Sequence, residues 1–302
     1  MTHPPAGLLL LDKPVGLSSN AALQRVRRLG GGIKAGHCGS LDPLASGMLP
    51  ICLGEATRLA GELLVGRKAY RFGLKLGERT ATGDAEGDVI ERCPVPALTP
   101  DTVNAVLERF LGAQTQVPPM YSALKREGTP LYRLARAGVS VPREARSITI
   151  ETMELRVIEA DRLELRVLCS KGTYVRVLGE DIATALGSCG HLGSLRREYV
   201  EPFADEPMVS LEQLEASAGG IAAWPLLHAD RAVAHLPPLH LGAADTLALR
   251  CGRVVALAAG SQPAPEGRWR LYDQEGGFLG LGLSSSAGEL RVQRLFSAPL
   301  PL

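Results

Sequence analysis

Apolar and polar positions alternate most cleanly in KAYRFGLKLGE, where Tyr70, Phe72, Leu74 and Leu76 share one side and predict a half-buried strand. The apolar run GLLLLD predicts a buried strand near the start. In KPVGLSSNAALQRVRRLGGG the period becomes helical: Ser18 or Ser19 caps it, Leu23, Val26 and Leu29 line one face, Arg25 and Arg28 lie off that face, and the glycines end it. MLPICLG predicts a short buried strand, and EATRLAGELLVG a helix with Leu59, Leu63 and Leu64 in one stripe.

Thr99, Pro100 and Asp101 form a strong helix start, followed by Val103, Val106, Leu107, Phe110 and Leu111 at helical spacing. Residues 148–182 hold two alternating runs and then a third strand, in which Tyr174 and Arg176 share a face, leading into a helix. Strands and helices mix without a steady repeat, so the pattern predicts an α+β fold. Beyond AHLPPLHLGAADTLALRCGRVVAL the chain reads as short strands separated by Gly, Pro and Ser, which places a boundary near residue 235, between residues 1–235 and a β-rich module at 236–302.

The 302 residues carry a net charge of +1, so any nucleic-acid surface must come from local clusters such as QRVRRLGGGIK, YRLARAG and SLRREY, each of which also reads as a solvated helix face. No segment approaches the roughly 20 uninterrupted apolar residues that cross a bilayer. MTHPPAGLLLLDKP lacks a basic n-region, and we expect a cytoplasmic protein with no membrane contact. Cys38, Cys52, Cys93, Cys169, Cys189 and Cys251 show no C-x-x-C pair and read as reduced, mostly structural thiols.

Chemistry concentrates in AGHCGSLDPLASGMLPICLGEATR, residues 35–58. His37, Cys38 and Cys52 match no common metal-ligand spacing. The glycines lack the order of a phosphate loop, and Ser40 lies in no nucleophile elbow. Asp42 remains: the loop glycines allow close backbone approach, and Pro43 biases it toward an extended conformation. A carboxylate so presented suits nucleophilic attack on an electron-poor carbon, or a structural turn.

The same segment resembles the signature of bacterial tRNA pseudouridine synthases of the TruB family. GLLLLDKPVGLSSNAAL, KAYRFGLKLGERTATGDAEGD, QVPPMYSALKREGTPLYRLARAG, CSKGTYVRVLGEDIATALG and HLGSLRREYVEPF follow that family's order over residues 7–203. The resemblance implies a pseudouridine-synthase fold, a long mixed sheet with flanking helices, followed by a small PUA-like RNA-binding barrel. It also implies that Asp42 is the catalytic nucleophile in converting the TΨC-loop uridine of tRNA to pseudouridine. Tyr70, Tyr174 and Arg176 would complete the catalytic site, while His37 would fill the space vacated by the flipped base and Lys13 would support the N-terminal motif. No metal or cofactor is expected. The expected partner is the tRNA T-arm and elbow, and the expected state is a monomer. The competing reading is a tRNA chaperone in which catalysis is secondary. Cys38 departs from the signature, where Thr or Gly is expected.

Overall fold

The computed structural model describes residues 6–257 and 266–300. The chain runs β1 (Gly7–Lys13), α1 (Ser19–Leu29), β2 (Ala35–His37), β3 (Ala45–Leu53), a 3-10 turn into α2 (Ala60–Leu64), and β4 (Lys68–Leu76). A hairpin of β5 (Glu78–Thr80) and β6 (Val89–Arg92) follows, then α3 (Pro100–Glu108) and β7 (Gly112–Gln116). Next come the short β8 (Lys125–Arg126) and β9 (Thr129–Pro130), α4 (Leu131–Arg136), β10 (Arg146–Glu159), β11 (Arg162–Cys169), α5 (Val175–Ala185), β12 (Gly190–Val200) and α6 (Leu211–Ala216).

These strands build one mixed sheet in the order β1-β3-β12-β4-β11-β10-β7, with β2 paired to β3. Its neighbours are antiparallel except β3 and β12, which run parallel. At that junction Gly47, at φ +100°, matches Arg197, and a Cβ on Gly47 would lie 2.1 Å from the Arg197 carbonyl oxygen. The close crossing admits only glycine.

Strand alternation sorts the core. Tyr70, Phe72, Leu74 and Leu76 pack against Val103 and Leu107 of α3 and Val175, Leu178 and Ile182 of α5. Leu9 and Leu11 meet α1 and α6, whereas Leu8 and Leu10 point to the opposite side of the sheet. Ser18 caps α1, accepting from the Ala21 N–H at 3.1 Å. Thr99 caps α3 in a box with Thr102.

Several expectations change. Leu64 and Leu111 are 46% and 43% exposed and leave their stripes, because the helices they were assigned to end as α2 at Leu64 and α3 at Glu108. SLRREY lies in β12, a strand, with Arg196 bound to both oxygens of Asp12 at 2.9 and 2.8 Å. Cys93 and Cys189 form a disulfide, a long-range pairing that isolated spacing could not show.

The C-terminal strands β13 (Pro238–His240), β14 (Val255–Ala256), β15 (Gly267–Tyr272), β16 (Phe278–Ser284) and β17 (Glu289–Leu300) are joined by α7 (Ala243–Arg250), between β13 and β14. They pair in the order β13-β15-β16-β17-β14 and curl into a half-barrel, in keeping with the small PUA-like barrel expected; among the described residues β13 and β14 do not pair with each other.

This sheet shares its core with the first. Tyr272, Phe278, Leu281, Phe296 and Leu300 pack into one cluster with Leu8, Leu10, Phe203 and Val233. Arg268 also grips both oxygens of Glu62 at 3.0 and 2.6 Å. Each large apolar side chain so buried contributes roughly 1.5–3 kcal/mol, and five together are comparable to the whole stability of a domain. A chain cut at residue 235 should therefore lose its cooperative thermal transition in calorimetry. A cooperative transition within about 5 °C of the full chain's would show that the first sheet does not need the second.

Candidate active site

Asp42 lies in the turn between β2 and β3, and that turn is tied down from α1. Ser19 Oγ accepts from the Leu41 N–H at 2.7 Å and donates to the Leu41 carbonyl at 2.9 Å. The Gly16 N–H reaches the Pro43 carbonyl at 2.8 Å. The turn is thus bonded on both sides of the aspartate, and the side chain is left to meet another element. Its Oδ2 accepts from Arg176 Nε at 2.9 Å.

Arg176 is fully committed. Nη1 donates to the Thr82 carbonyl at 2.7 Å, Nη2 to the Tyr121 carbonyl at 2.5 Å, and Nε also lies 3.6 Å from Asp84 Oδ2. Arg176 and Asp84 side chains are each 5% exposed, whereas 41% of the Asp42 side chain stays open to solvent. A guanidinium fixed at all three nitrogens cannot swing away, so it orients Asp42, the more open of the two carboxylates beside it. Burial raises the Asp42 pKa above the ordinary carboxylate value and Asp84 adds to the rise, while Arg176 and Lys13 oppose it.

Lys13, at the end of β1, is wholly buried and donates to the carbonyls of Pro14 at 2.8 Å and Leu17 at 2.6 Å. Burial lowers its pKa to about 8, with Asp42 and Glu86 pulling it back up. Tyr70 is 8% exposed in the centre of β4, where burial raises its pKa against the pull of Arg197. His37 is held in β2 opposite Ile51, on a strand and not in a free loop. Its Nδ1 is buried without a protein partner, and burial lowers its pKa.

Tyr174 and Arg176 do not share a strand. Tyr174 is the N-cap of α5 and Arg176 lies in its first turn. Gln116 holds the cap from both sides, accepting from the Tyr174 N–H at 2.8 Å and donating to its carbonyl at 3.2 Å. Arg176 is the predicted site residue bonded to Asp42, and the Asp42 charge bears on the pKa values of Lys13, Tyr70 and Tyr174. The charge of Arg197 likewise helps to lower the His37 pKa.

Thr82, Asp84 and Tyr121 were missed by the sequence reading. The signal was present in TATGDAEGD, where Gly83 (φ +74°) and three acids mark a tight turn. Asp84 Oδ1 closes that turn by accepting from Thr82 Oγ1 at 2.6 Å and the Glu86 N–H at 3.1 Å. Cys38 is also not isolated: it is buried, and its sulfur lies 3.4 Å from that of Cys52.

Comparison with known proteins accords with this geometry. The model of the TruB family pseudouridylate synthase N-terminal domain matches residues 27–175, which include Asp42. Two C-terminal models follow, tRNA pseudouridylate synthase B at 176–221 and pseudouridine synthase II TruB at 237–296. The tRNA pseudouridine synthase B of Marinomonas sp. (strain MWYL1) is 48% identical over 285 residues, covering 91% of this chain and 90% of that one. The chain belongs to the TruB family. The Nitrosococcus oceani member is 47% identical over 296 residues, covering 96% of this chain and 94% of its own. A crystal structure of a Cbf5-Nop10-Gar1 complex holds a chain that superposes with a TM-score of 0.72 at 25% identity, covering 97% of this chain and 85% of that one. As a TruB-family protein the chain is a pseudouridine synthase, an isomerase, on an α+β fold.

Proposed function

We propose that this enzyme isomerises the T-loop uridine of tRNA to pseudouridine, with Asp42 as the nucleophile. The observation that carries the reading is the Arg176–Asp42 pair: a buried, immobile guanidinium orients a carboxylate that remains open on its other side. The family relationship supplies the reaction class, and the names of the curated relatives supply tRNA.

The target base is stacked within folded RNA and must leave that stack before its sugar can reach the carboxylate. In this reading His37 occupies the vacated space and Tyr70 and Tyr174 flank the uracil. Asp42 attacks C1′, or assists elimination across C1′–C2′, as the N1–C1′ bond breaks and its electrons pass to the uracil. The uracil turns, C5 bonds to C1′, and the proton displaced from C5 passes to a base, for which Tyr70 is the nearby candidate. Asp42 is released unchanged. Electrons only redistribute within the substrate, so the step needs no oxidant or reductant.

RNA contact would extend beyond the cleft. Residues 125–146 carry Lys125, Arg126, Arg133, Arg136, Arg143 and Arg146 against Glu127 and Glu144, and begin just after Tyr121, whose carbonyl holds Arg176. We assign residues 236–302 to a second RNA-binding domain on the same reading. The test is incubation of a defined tRNA transcript with the purified protein in excess chelator, followed by mapping of pseudouridine. One new pseudouridine in the T loop is expected. Modification confined to another arm would overturn the site assignment, and a requirement for one specific ion at the chemical step would overturn the cofactor-free reading.

A further inference from the structure

Among the described residues, Arg197 heads the fully buried side chains by volume, at 1% exposure. Among the described residues no carboxylate forms an ion pair with it. Its Nε donates to the Met48 carbonyl at 2.7 Å and its Nη2 to the Gly39 carbonyl at 3.1 Å. Taking a guanidinium out of water without a counter-charge is costly, and a neutral side chain could have filled the same volume. The position therefore asks for a reason beyond packing.

Its place in the sheet supplies one. In β12, Arg197 is paired across to Tyr70 of β4 on one side and to Gly47 of β3 on the other. Directly opposed residues of paired strands project on the same side of the sheet, so the Arg197 and Tyr70 side chains rise next to each other. Gly39, at φ +93°, belongs to the turn that delivers Asp42. One rigid fork thus holds a sheet carbonyl and the carbonyl of the aspartate turn, and lies across the strand register from Tyr70. Arg176 cannot share this work, because its nitrogens are taken by Asp42, Thr82 and Tyr121.

We propose that Arg197 is a positioning residue for the isomerisation: it fixes the Tyr70 hydroxyl and the turn of residues 39–42 at one separation beneath the uracil. The proposal rests on the reading of Asp42 and Tyr70 given above. On this proposal a hydroxyl otherwise free to rotate, and a glycine-rich turn otherwise free to shift, are both held by donors of one planar group.

The test uses full-length Arg197→Lys and Arg197→Met. Three quantities are read: single-turnover release of C5 tritium at saturating tRNA, tRNA affinity, and the 13Cζ resonance of Tyr70, assigned by its loss in Tyr70→Phe. Displacing reacting groups by about 1 Å costs about 10²-fold, so Arg197→Met should lose about that factor and Arg197→Lys about tenfold, with affinity within about threefold. The Tyr70 resonance should move more than that of any other tyrosine. Rates within about threefold of wild type in the folded variants, a loss lying wholly in affinity, or an unmoved Tyr70 resonance would overturn the proposal. If Arg197→Met does not fold, Arg197→Lys decides alone through rate and resonance. A wild-type protein that releases no tritium would instead sink the functional reading, and the resonance would still report whether Arg197 holds Tyr70.

Discussion

Replacing Asp42 by Asn should reduce single-turnover pseudouridine formation by about 10³-fold or more while tRNA affinity stays within about tenfold. The substitution is close to isosteric, so the turn held by Ser19 and Gly16 should keep its shape and the amide should still lie beside Arg176. What disappears is the charge and the nucleophilic oxygen. Because 41% of the Asp42 side chain faces solvent while Arg176 and Asp84 are enclosed, the loss falls on the group a substrate meets and not on the scaffold. Turnover above a few per cent of wild type, in a folded variant, would contradict the nucleophile assignment.

The second large effect is expected from Arg176→Met, and it carries a pH signature. On the proposed mechanism Asp42 reacts as the carboxylate. Burial and Asp84 already raise its pKa, and Arg176 is the foremost influence opposing that rise. Removing the guanidinium leaves the two raising influences in place, so the Asp42 pKa climbs further and the acid limb of the rate–pH profile moves to higher pH. At neutral pH the rate should fall by about 10²–10³-fold, the scale of losing one preorganised charge contact, and raising the pH should recover part of it.

The same change leaves Asp84 buried without its cation, a loss of about 3–5 kcal/mol in stability. Adding Asp84→Asn should restore much of that stability without restoring the rate. Measuring both separates a collapsed fold from a missing charge. An acid limb that stays in place in the folded variant would show that Arg176 does not act through Asp42.

The elements read correctly from sequence are those fixed by local chemistry. Strand β4 shows its period in Tyr70, Phe72, Leu74 and Leu76, and α3 shows its cap in Thr99. The segment carrying Tyr174 and Arg176 misled because β-branched Thr173, Val175 and Val177 favour a strand. The structure instead gives a turn with Gly172 at φ +83° and then α5, whose Val175, Leu178 and Ile182 are buried against the sheet. Tertiary packing overrides propensity there. Arg176 reaches Asp42 all the same, from the first turn of α5, by a route the alternation did not describe.

Long-range pairing was legible only where the family resemblance pointed to it: Arg176 was expected beside Asp42 and meets it across 134 residues, whereas Cys93 meets Cys189 across 96 with no signal in their spacing. Arg197 was least visible, since an arginine within SLRREY looks solvated until strand pairing turns it inward beside Tyr70. The family resemblance brought Asp42 and Arg176 together, but it gave no account of what holds their backbones in place. Ser19, Gln116 and the Thr82–Asp84 turn supply it.

The most direct test of isomerisation itself is an atom balance. One equivalent of enzyme is mixed with a tRNA transcript carrying tritium at C5 of its T-loop uridine, and solvent tritium, free uracil and tRNA composition are measured together. The account expects tritium in solvent stoichiometric with new pseudouridine, no free uracil, and a tRNA whose mass changes only by exchange of that label. Free uracil with an abasic sugar would make the chain a hydrolase, and an unchanged tRNA bound at full affinity would leave it a binding protein.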